Sequence, residues 1–295
     1  MREGGDELVD AHTSLYELIA EPAGHSLSPL IHNTSFQTLN INSVYLAFDV
    51  DHKHFSDVIR AMRALPIKGI NVSMPYKEHI INYLDELTPI AQQLGAVNTV
   101  INHDGHLIGD STDGEGFINA LLDEHVSVNG KHVVVLGAGG AGRAVIAAAA
   151  NEGAQVSVFK RHNATFEATS QRLSKWSQQI EVLPYEDEKL MAQVLTTADV
   201  VVNTTNIGMG DDQSSPIPLS VVTALHPGQM VMDVIYAPLE TAFLKQARQR
   251  GCSTMNGINM LVQQAAGSFY RWTKQTMPIE TVKTAIKQEL INQRK

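Results

Sequence analysis

The sequence predicts an α/β protein built from two domains, and three observations carry that prediction. Short apolar runs of strand length alternate with segments of helical periodicity, as in mostly parallel sheets. The alternation runs through two series, the second opening on a glycine-rich turn at 137–142. The length, 295 residues, is about that of two ordinary domains.

In the first series, Leu15 to Ala20 reads as a buried strand. Ser28-Pro29 then offers an N-cap followed by proline at the first helical position, so a helix to about Leu39 is expected. Val44 to Val50 is a second strand. Phe55, Val58, Ile59 and Met62 form a helical stripe. Ile67 to Val72 is a third strand, and Glu78 to Leu87 is helical in composition. Val97 to Asn102 and Leu107 to Asp110 are short strands joined by His103-Asp104-Gly105-His106, whose Asp-Gly signals a hairpin.

The second series opens at Lys131. His132 to Leu136 is continuously apolar, as in a sheet covered on both faces. An Ala-rich helix follows the glycine turn to Ala150 and closes at Glu152-Gly153. Strands are expected at Gln155 to Phe159, Asp199 to Asn203 and Met230 to Asp233. The last forty or so residues read as two helices, Ile258 to Trp272 and, after Pro278, Ile279 to Asn292. With no strand between them, they are expected to pack back on the first domain. The boundaries read 1–112 completed by 257–295, and 113–256.

Composition narrows the class. Apolar residues make up 43% of the chain, which fits a soluble globular protein. The net charge of −9 makes it a poor binder of nucleic acid backbones. No apolar stretch reaches the roughly 18 residues of a membrane span, and the charged opening, Met1 to Glu7, lacks the pattern of a secretory signal. Cys252 is the one cysteine, so no internal disulfide forms. A cytoplasmic protein with a frayed first dozen residues is expected. The closest histidine groupings, His52-Lys53-His54 and His103 with His106, have no zinc-site spacing to cysteine or carboxylate, so no metal is expected.

Gly137-x-Gly139-x-x-Gly142 lies between an apolar strand and a helix. The first glycine allows a tight turn, the second a close approach to a pyrophosphate, and the third close helix–strand packing. The free N–H groups of the helix start suit phosphates. With the strand that follows, this is the pattern of a Rossmann-type dinucleotide site made by Gly137, Ala138, Gly139, Gly140, Ala141 and Gly142. The next strand ends in Lys160-Arg161-His162-Asn163, where an NAD site usually has a carboxylate. Two cations there suit the 2′-phosphate of NADP; otherwise they are solvated loop charges.

The first domain gathers a different set of polar groups at strand ends, where ligands of open α/β folds bind. They are Ser26 and Ser28, Ser73 and Lys77, Asn98, and Thr112-Asp113. Hydroxyls, an amide, a lysine and an aspartate suit a small polyhydroxylated acid.

The motifs Ser26-Leu27-Ser28-Pro29-Leu30-Ile31-His32-Asn33, Asn71-Val72-Ser73-Met74-Pro75-Tyr76-Lys77, Gly95-Ala96-Val97-Asn98-Thr99, Thr112-Asp113-Gly114, the glycine turn, and Asn256-Gly257 leading to Met260 to Ala265 follow in order along the chain. In these the chain resembles the shikimate dehydrogenase family, over about residues 15–290. The resemblance implies a substrate-binding catalytic domain and an NADP-binding domain facing a cleft. It implies reduction of 3-dehydroshikimate to shikimate with NADPH, on the route to chorismate and the aromatic amino acids. Ser73 replaces the threonine frequent in the family, and Ser-Met before Pro75 is more like the quinate/shikimate dehydrogenase branch. That branch, using NAD or both cofactors, is the alternative.

The resemblance further implies that Ser26 and Ser28 hold the substrate carboxylate, and that Lys77 and Asp113 flank the reacting oxygen. Asn98 and Gln264 would hold ring hydroxyls, with Ser73 and Tyr236 also at the substrate. Met209 and Gly257 would border the cofactor. The enzyme would be a monomer or homodimer. Structural roles remain open beside these: Asp113 and Ser28 as helix N-caps, Gln264 as a core amide, Met209 as an ordinary loop residue.

Overall fold

The computed structural model describes residues 9–292, so residues 1–8 of the expected frayed opening lie outside the described residues. The chain divides into two compact units. One comprises the chain up to Thr112 together with the segment from Ala265 onward, and the other is Asp113–Gln264.

The first unit contains β1 (Ser14–Ala20), α1 (Ser28–Thr38), β2 (Ser43–Asp49), α2 (Phe55–Ala64) and β3 (Ile67–Val72). A 3₁₀ turn (His79–Tyr83), β4 (Glu86–Leu87), α3 (Pro89–Leu94), β5 (Thr99–His103) and β6 (His106–Asp110) follow. The sheet order is β2-β1-β3-β5-β6-β4. β2, β1 and β3 are parallel, and β5 runs antiparallel to both neighbours. The hairpin is present: Asp104 and Gly105 have φ of 50° and 93°, the pair of positive values that a tight two-residue turn requires. One core packs Ile19, Ile70 and Val72 against Phe55, Ile59 and Met62 of α2.

The second unit begins with α4 (Asp113–Asp123), then β7 (His132–Leu136), α5 (Gly140–Asn151), β8 (Gln155–Lys160), α6 (Phe166–Ser174), β9 (Ile180–Pro184) and α7 (Glu188–Thr196). β10 (Val200–Asn203), a second 3₁₀ turn (Val222–Ala224), β11 (Met230–Asp233), α8 (Ala242–Gln249), β12 (Ser253–Met255) and the start of α9 (Ile258–Thr273) complete the series, and the rest of α9 and α10 (Ile279–Asn292) belong to the first unit. The six strands are all parallel, in the order β12-β11-β10-β7-β8-β9. This is the doubly wound arrangement, with its switch point between β7 and β10. Both faces are covered: Val133 and Val135 join one apolar cluster, Val134 and Leu136 the other.

The C-terminal helices do return to the first unit, where α10 packs on α1. Phe269 and Trp272 of α9 complete an aromatic layer with Tyr16, Phe36 and Tyr45. The Trp272 indole lies over Gly69, where any Cβ would overlap it, and donates to the Val100 carbonyl at 3.0 Å. Re-entry falls at Ala265, inside α9, rather than at 257.

Three readings are corrected. The segment 78–87 is not a helix: its 3₁₀ turn ends at Leu84 (ψ 151°), and Glu86 and Leu87 pair with β6. Ser28 is not an N-cap; Leu27 holds that position, and Ser28 is already helical, followed by Pro29. Likewise α4 starts at Asp113 itself, not after it.

Candidate functional site

In the first unit the polar side chains collect at the C-terminal ends of strands and in the loops beyond them. After β1 the chain turns into α1, and this turn carries Ser26 and Ser28. The Ser26 hydroxyl donates to Ser28 Oγ at 3.1 Å and accepts from the Ser28 N–H at 3.1 Å. Two adjacent hydroxyls at a helix start, with a positive dipole end beside them, can hold a carboxylate. Beyond β3, Ser73 donates its N–H to the Ile19 carbonyl and accepts from Tyr76 N–H, which fixes the loop leading to Lys77. The Lys77 carbonyl is held by Val97 N–H at 2.8 Å, so the lysine's backbone is anchored next to Asn98.

Asn98 is buried in a network of neutral polar groups. Its Nδ2 donates to Thr112 Oγ1 at 2.9 Å, and its Oδ1 accepts from Thr112 N–H at 2.9 Å. Asn71 donates to the Asn98 carbonyl and to Ser268 Oγ, and accepts from the Tyr45 hydroxyl at 2.7 Å. Such a network fixes rotamers tightly. Sequence reasoning singled out Asn98 but missed Asn71, Ser268 and Tyr45, because Ser268 lies far along the chain on α9.

Two buried titratable groups of this unit, Glu17 and His32, lie beside that network. Burial in an apolar setting pushes Glu17 up to about 7 and His32 down to about 3. His32 stacks on Tyr45 with ring centroids 4.4 Å apart.

In the second unit, Asp113 is buried at the first turn of α4, directly after Thr112. α4 also carries Gly116, where a Cβ would lie 2.7 Å from the backbone N of Gln264. The absence of a side chain there seats α9 against α4 at Gln264, whose amide also donates to Leu261 O at 2.8 Å. Tyr236 follows β11, half-buried, and burial pushes its phenol up.

The glycine turn fits a dinucleotide. Gly137 has φ +101°, and a Cβ on it would meet Thr205 Cγ2 at 2.9 Å. A Cβ at Gly142 would approach the Gly137 carbonyl to 2.7 Å, so α5 packs where only glycine fits. At Gly139 nothing lies within 4 Å, which leaves the ligand side of the turn open. Gly139 is the N-cap of α5, so the free N–H groups of Gly140, Ala141 and Gly142 line the helix start, with Ala138 in the turn before it. Thr204, just after β10, donates to the carbonyls of Leu136 and Gly137, so the turn lies at the switch point.

β8 delivers Lys160 and Arg161 to the loop beyond it. Lys160 is engaged by its own loop, donating to Asn163 Oδ1 at 2.9 Å and Thr165 Oγ1 at 2.8 Å. Burial, then the charge of Arg161, holds its ammonium below the ordinary lysine range. Arg161 is exposed. Sequence reasoning found no carboxylate near this point, yet both Glu186 oxygens accept from His162 N–H at 3.1 Å. The residue comes from the end of β9, and only strand order reveals it. Met209 is 49% exposed in the loop after β10. Gly257 lies against the Val234 carbonyl, where a Cβ would overlap it, and donates to Ile235 O, so packing alone already requires glycine.

Among the described residues, no group of three or more metal-ligating side chains is placed to hold an ion, and no helix is long and apolar enough to cross a membrane.

Comparison with known proteins covers both units. Residues 18–100 match the family described as the shikimate dehydrogenase substrate binding domain, and 257–287 the shikimate 5′-dehydrogenase C-terminal domain. Residues 118–237 match the alanine dehydrogenase/PNT C-terminal domain. A protein of Latilactobacillus sakei named shikimate dehydrogenase (NADP(+)) is 44% identical over 280 residues, 92% of this chain and 96% of that one. A shikimate 5-dehydrogenase from Listeria monocytogenes, solved with shikimate and NAD, superposes with a TM-score of 0.89 at 37% identity, covering 95% of this chain and 99% of that one. The Thermus thermophilus shikimate 5-dehydrogenase, solved with NADP(H) and shikimate, gives 0.82 at 31% identity, covering 94% and 99%.

Proposed function

The chain belongs to the shikimate dehydrogenase family, and from that premise we propose that it catalyses the reversible, NADP-dependent reduction of 3-dehydroshikimate to shikimate. The observation that carries this reading is the 44% identity, over nearly the whole of both chains, to a shikimate dehydrogenase (NADP(+)). When bound, the reduced nicotinamide supplies a hydride to the ketone carbon. The chain's own groups do the rest. Ser26 and Ser28 bind the carboxylate and so orient the ring. Asn98 and Gln264 take ring hydroxyls, with Ser73 and Tyr236 at the margin of the substrate. Lys77, as an ammonium, donates to the oxygen on which negative charge develops and then gives up its proton to it. Asp113 serves as the carboxylate partner in this proton transfer. Gly137 to Gly142 hold the pyrophosphate, with Met209 and Gly257 bordering the cofactor and Lys160 and Arg161 at its 2′-phosphate.

A second reading, quinate/shikimate dehydrogenase using NAD or both cofactors, draws support from Ser73 and from Glu186 beside the Arg161 loop. Steady-state assays with shikimate and quinate, each against NADP and NAD, decide between them. No turnover of shikimate with either cofactor overturns both. A cytoplasmic setting is supported by Cys252, a buried free thiol. Light scattering separates monomer from homodimer.

A further inference from the structure

The second unit brings a carboxylate to a place where the cofactor reading sets only cations. In a sheet of this order, the end of the strand after the glycine turn lies at the adenosine ribose. Here that end is Lys160 of β8. β9 pairs with β8 so that Pro184 stands opposite Lys160, and Glu186 therefore arrives beside His162. Both of its oxygens take the His162 backbone N–H at 3.1 Å. A shallow depression opens there, lined by His162, Pro184, Glu186, Asp187 and Glu188. Asp187 is occupied in capping α7, accepting from Leu190 N–H at 2.9 Å, and Glu188 accepts from the Ser220 hydroxyl. Glu186 is the acid of this group that turns onto the loop.

We infer that Glu186 is a specificity-determining residue of the cofactor site, accepting the ribose 2′-hydroxyl of NAD and opposing the 2′-phosphate of NADP. The inference rests on the dinucleotide reading given above. A 2′-hydroxyl donates readily to a carboxylate. A 2′-phosphate meets it as a like charge and competes with it for the His162 N–H. Arg161, exposed on the same loop, acts in the opposite sense, since a guanidinium favours the phosphate. Lys160 adds little to that side because its ammonium is already held by Asn163 and Thr165. The balance between Glu186 and Arg161 sets which cofactor the enzyme prefers, and discrimination arises from the repulsive element as much as from the attractive one.

The test is calorimetric titration of the full chain with two probes, adenosine 2′,5′-bisphosphate and 5′-AMP, in the wild type and in Glu186→Gln. Glutamine keeps an acceptor for the His162 N–H and removes only the charge. The bisphosphate is expected to bind the variant about five- to twentyfold more tightly, the scale of exposed charge contacts acting on a dianion. Binding of 5′-AMP is expected to change by less than about twofold on the same scale. The gain is expected to shrink at high salt. An unchanged bisphosphate affinity, or an equal shift for both probes, overturns the inference and leaves Glu186 as a loop anchor. A wild type that binds neither probe overturns the dinucleotide reading itself.

Discussion

Glu17 offers a direct measure of how burial shapes the first unit. The side chain is 4% exposed, and its Oε1 has no hydrogen-bond partner among the described residues. Burial raises the carboxyl from 4.5 to about 7. Between those values the folded carboxyl keeps a proton that the unfolded one has lost. Its contribution is therefore complete below pH 4.5 and is lost as pH rises through 7. The gap, at about 1.36 kcal/mol per pKa unit, amounts to about 3 kcal/mol, most of which falls between pH 5 and pH 9. Glu17→Gln removes the titration and keeps the shape. Of the two tryptophans, Trp272 belongs to the first unit, so a Trp176→Phe background makes its fluorescence a local probe. Denaturant unfolding of both proteins across that range is expected to show the variant gaining on the wild type by about 2–3 kcal/mol as pH rises. His32 titrates in the opposite sense, losing stability as pH falls below 6.5 toward about 3, but it is common to both proteins and cancels. A difference that stays flat with pH would mean that the folded carboxylate ionises normally, and the reasoning from burial would be wrong.

Three further outcomes are expected. Lys77→Ala lowers kcat by about 10²–10³ while the shikimate Kd, from equilibrium titration, moves less than about tenfold, because its proton matters most when the oxyanion forms; near-normal kcat ends the assignment. Ser26→Ala raises KM more than it lowers kcat, since carboxylate binding is shared by ground and transition states, and an unchanged KM places the carboxylate elsewhere. Gly69→Ala drives a methyl into the Trp272 indole and breaks its bond to Val100. It is expected to cost about 1–3 kcal/mol, read from thermal unfolding with the Trp272 signal, and an unchanged Tm refutes the close contact.

Most strands were legible as short, largely apolar runs, as in His132–Leu136 and Met230–Asp233, whereas β4, β9 and β12 were not, being very short or interrupted by polar residues. The hairpin at Asp104-Gly105 was legible from its turn chemistry. The helices Phe166–Ser174 and Glu188–Thr196 were not, since their exposed faces are polar and only a few residues, such as Leu173 and Met191, are buried. Segment 78–87 misled because good helix formers there are overridden by pairing with β6. The polar residues nominated for the site stood out by type and by their place after strands. Partners reached through strand order or a distant helix, Glu186 and Ser268, left no local trace.

The divided make-up of the first unit also bears on the order in which the chain is made. Synthesis proceeds from the N-terminus, and domains fold as units once their residues have emerged. All six strands of the first sheet precede residue 111, but Phe269 and Trp272, which complete the aromatic layer over Tyr16 and Phe36, leave the ribosome only after the whole of the second unit. The second unit, contiguous from Asp113 to Gln264, has everything it needs before they appear. The nascent first sheet must therefore wait with part of one apolar face, beside Tyr16 and Phe36, uncovered while more than 150 further residues are translated. That interval is when the protein is most exposed to aggregation and to chaperone binding.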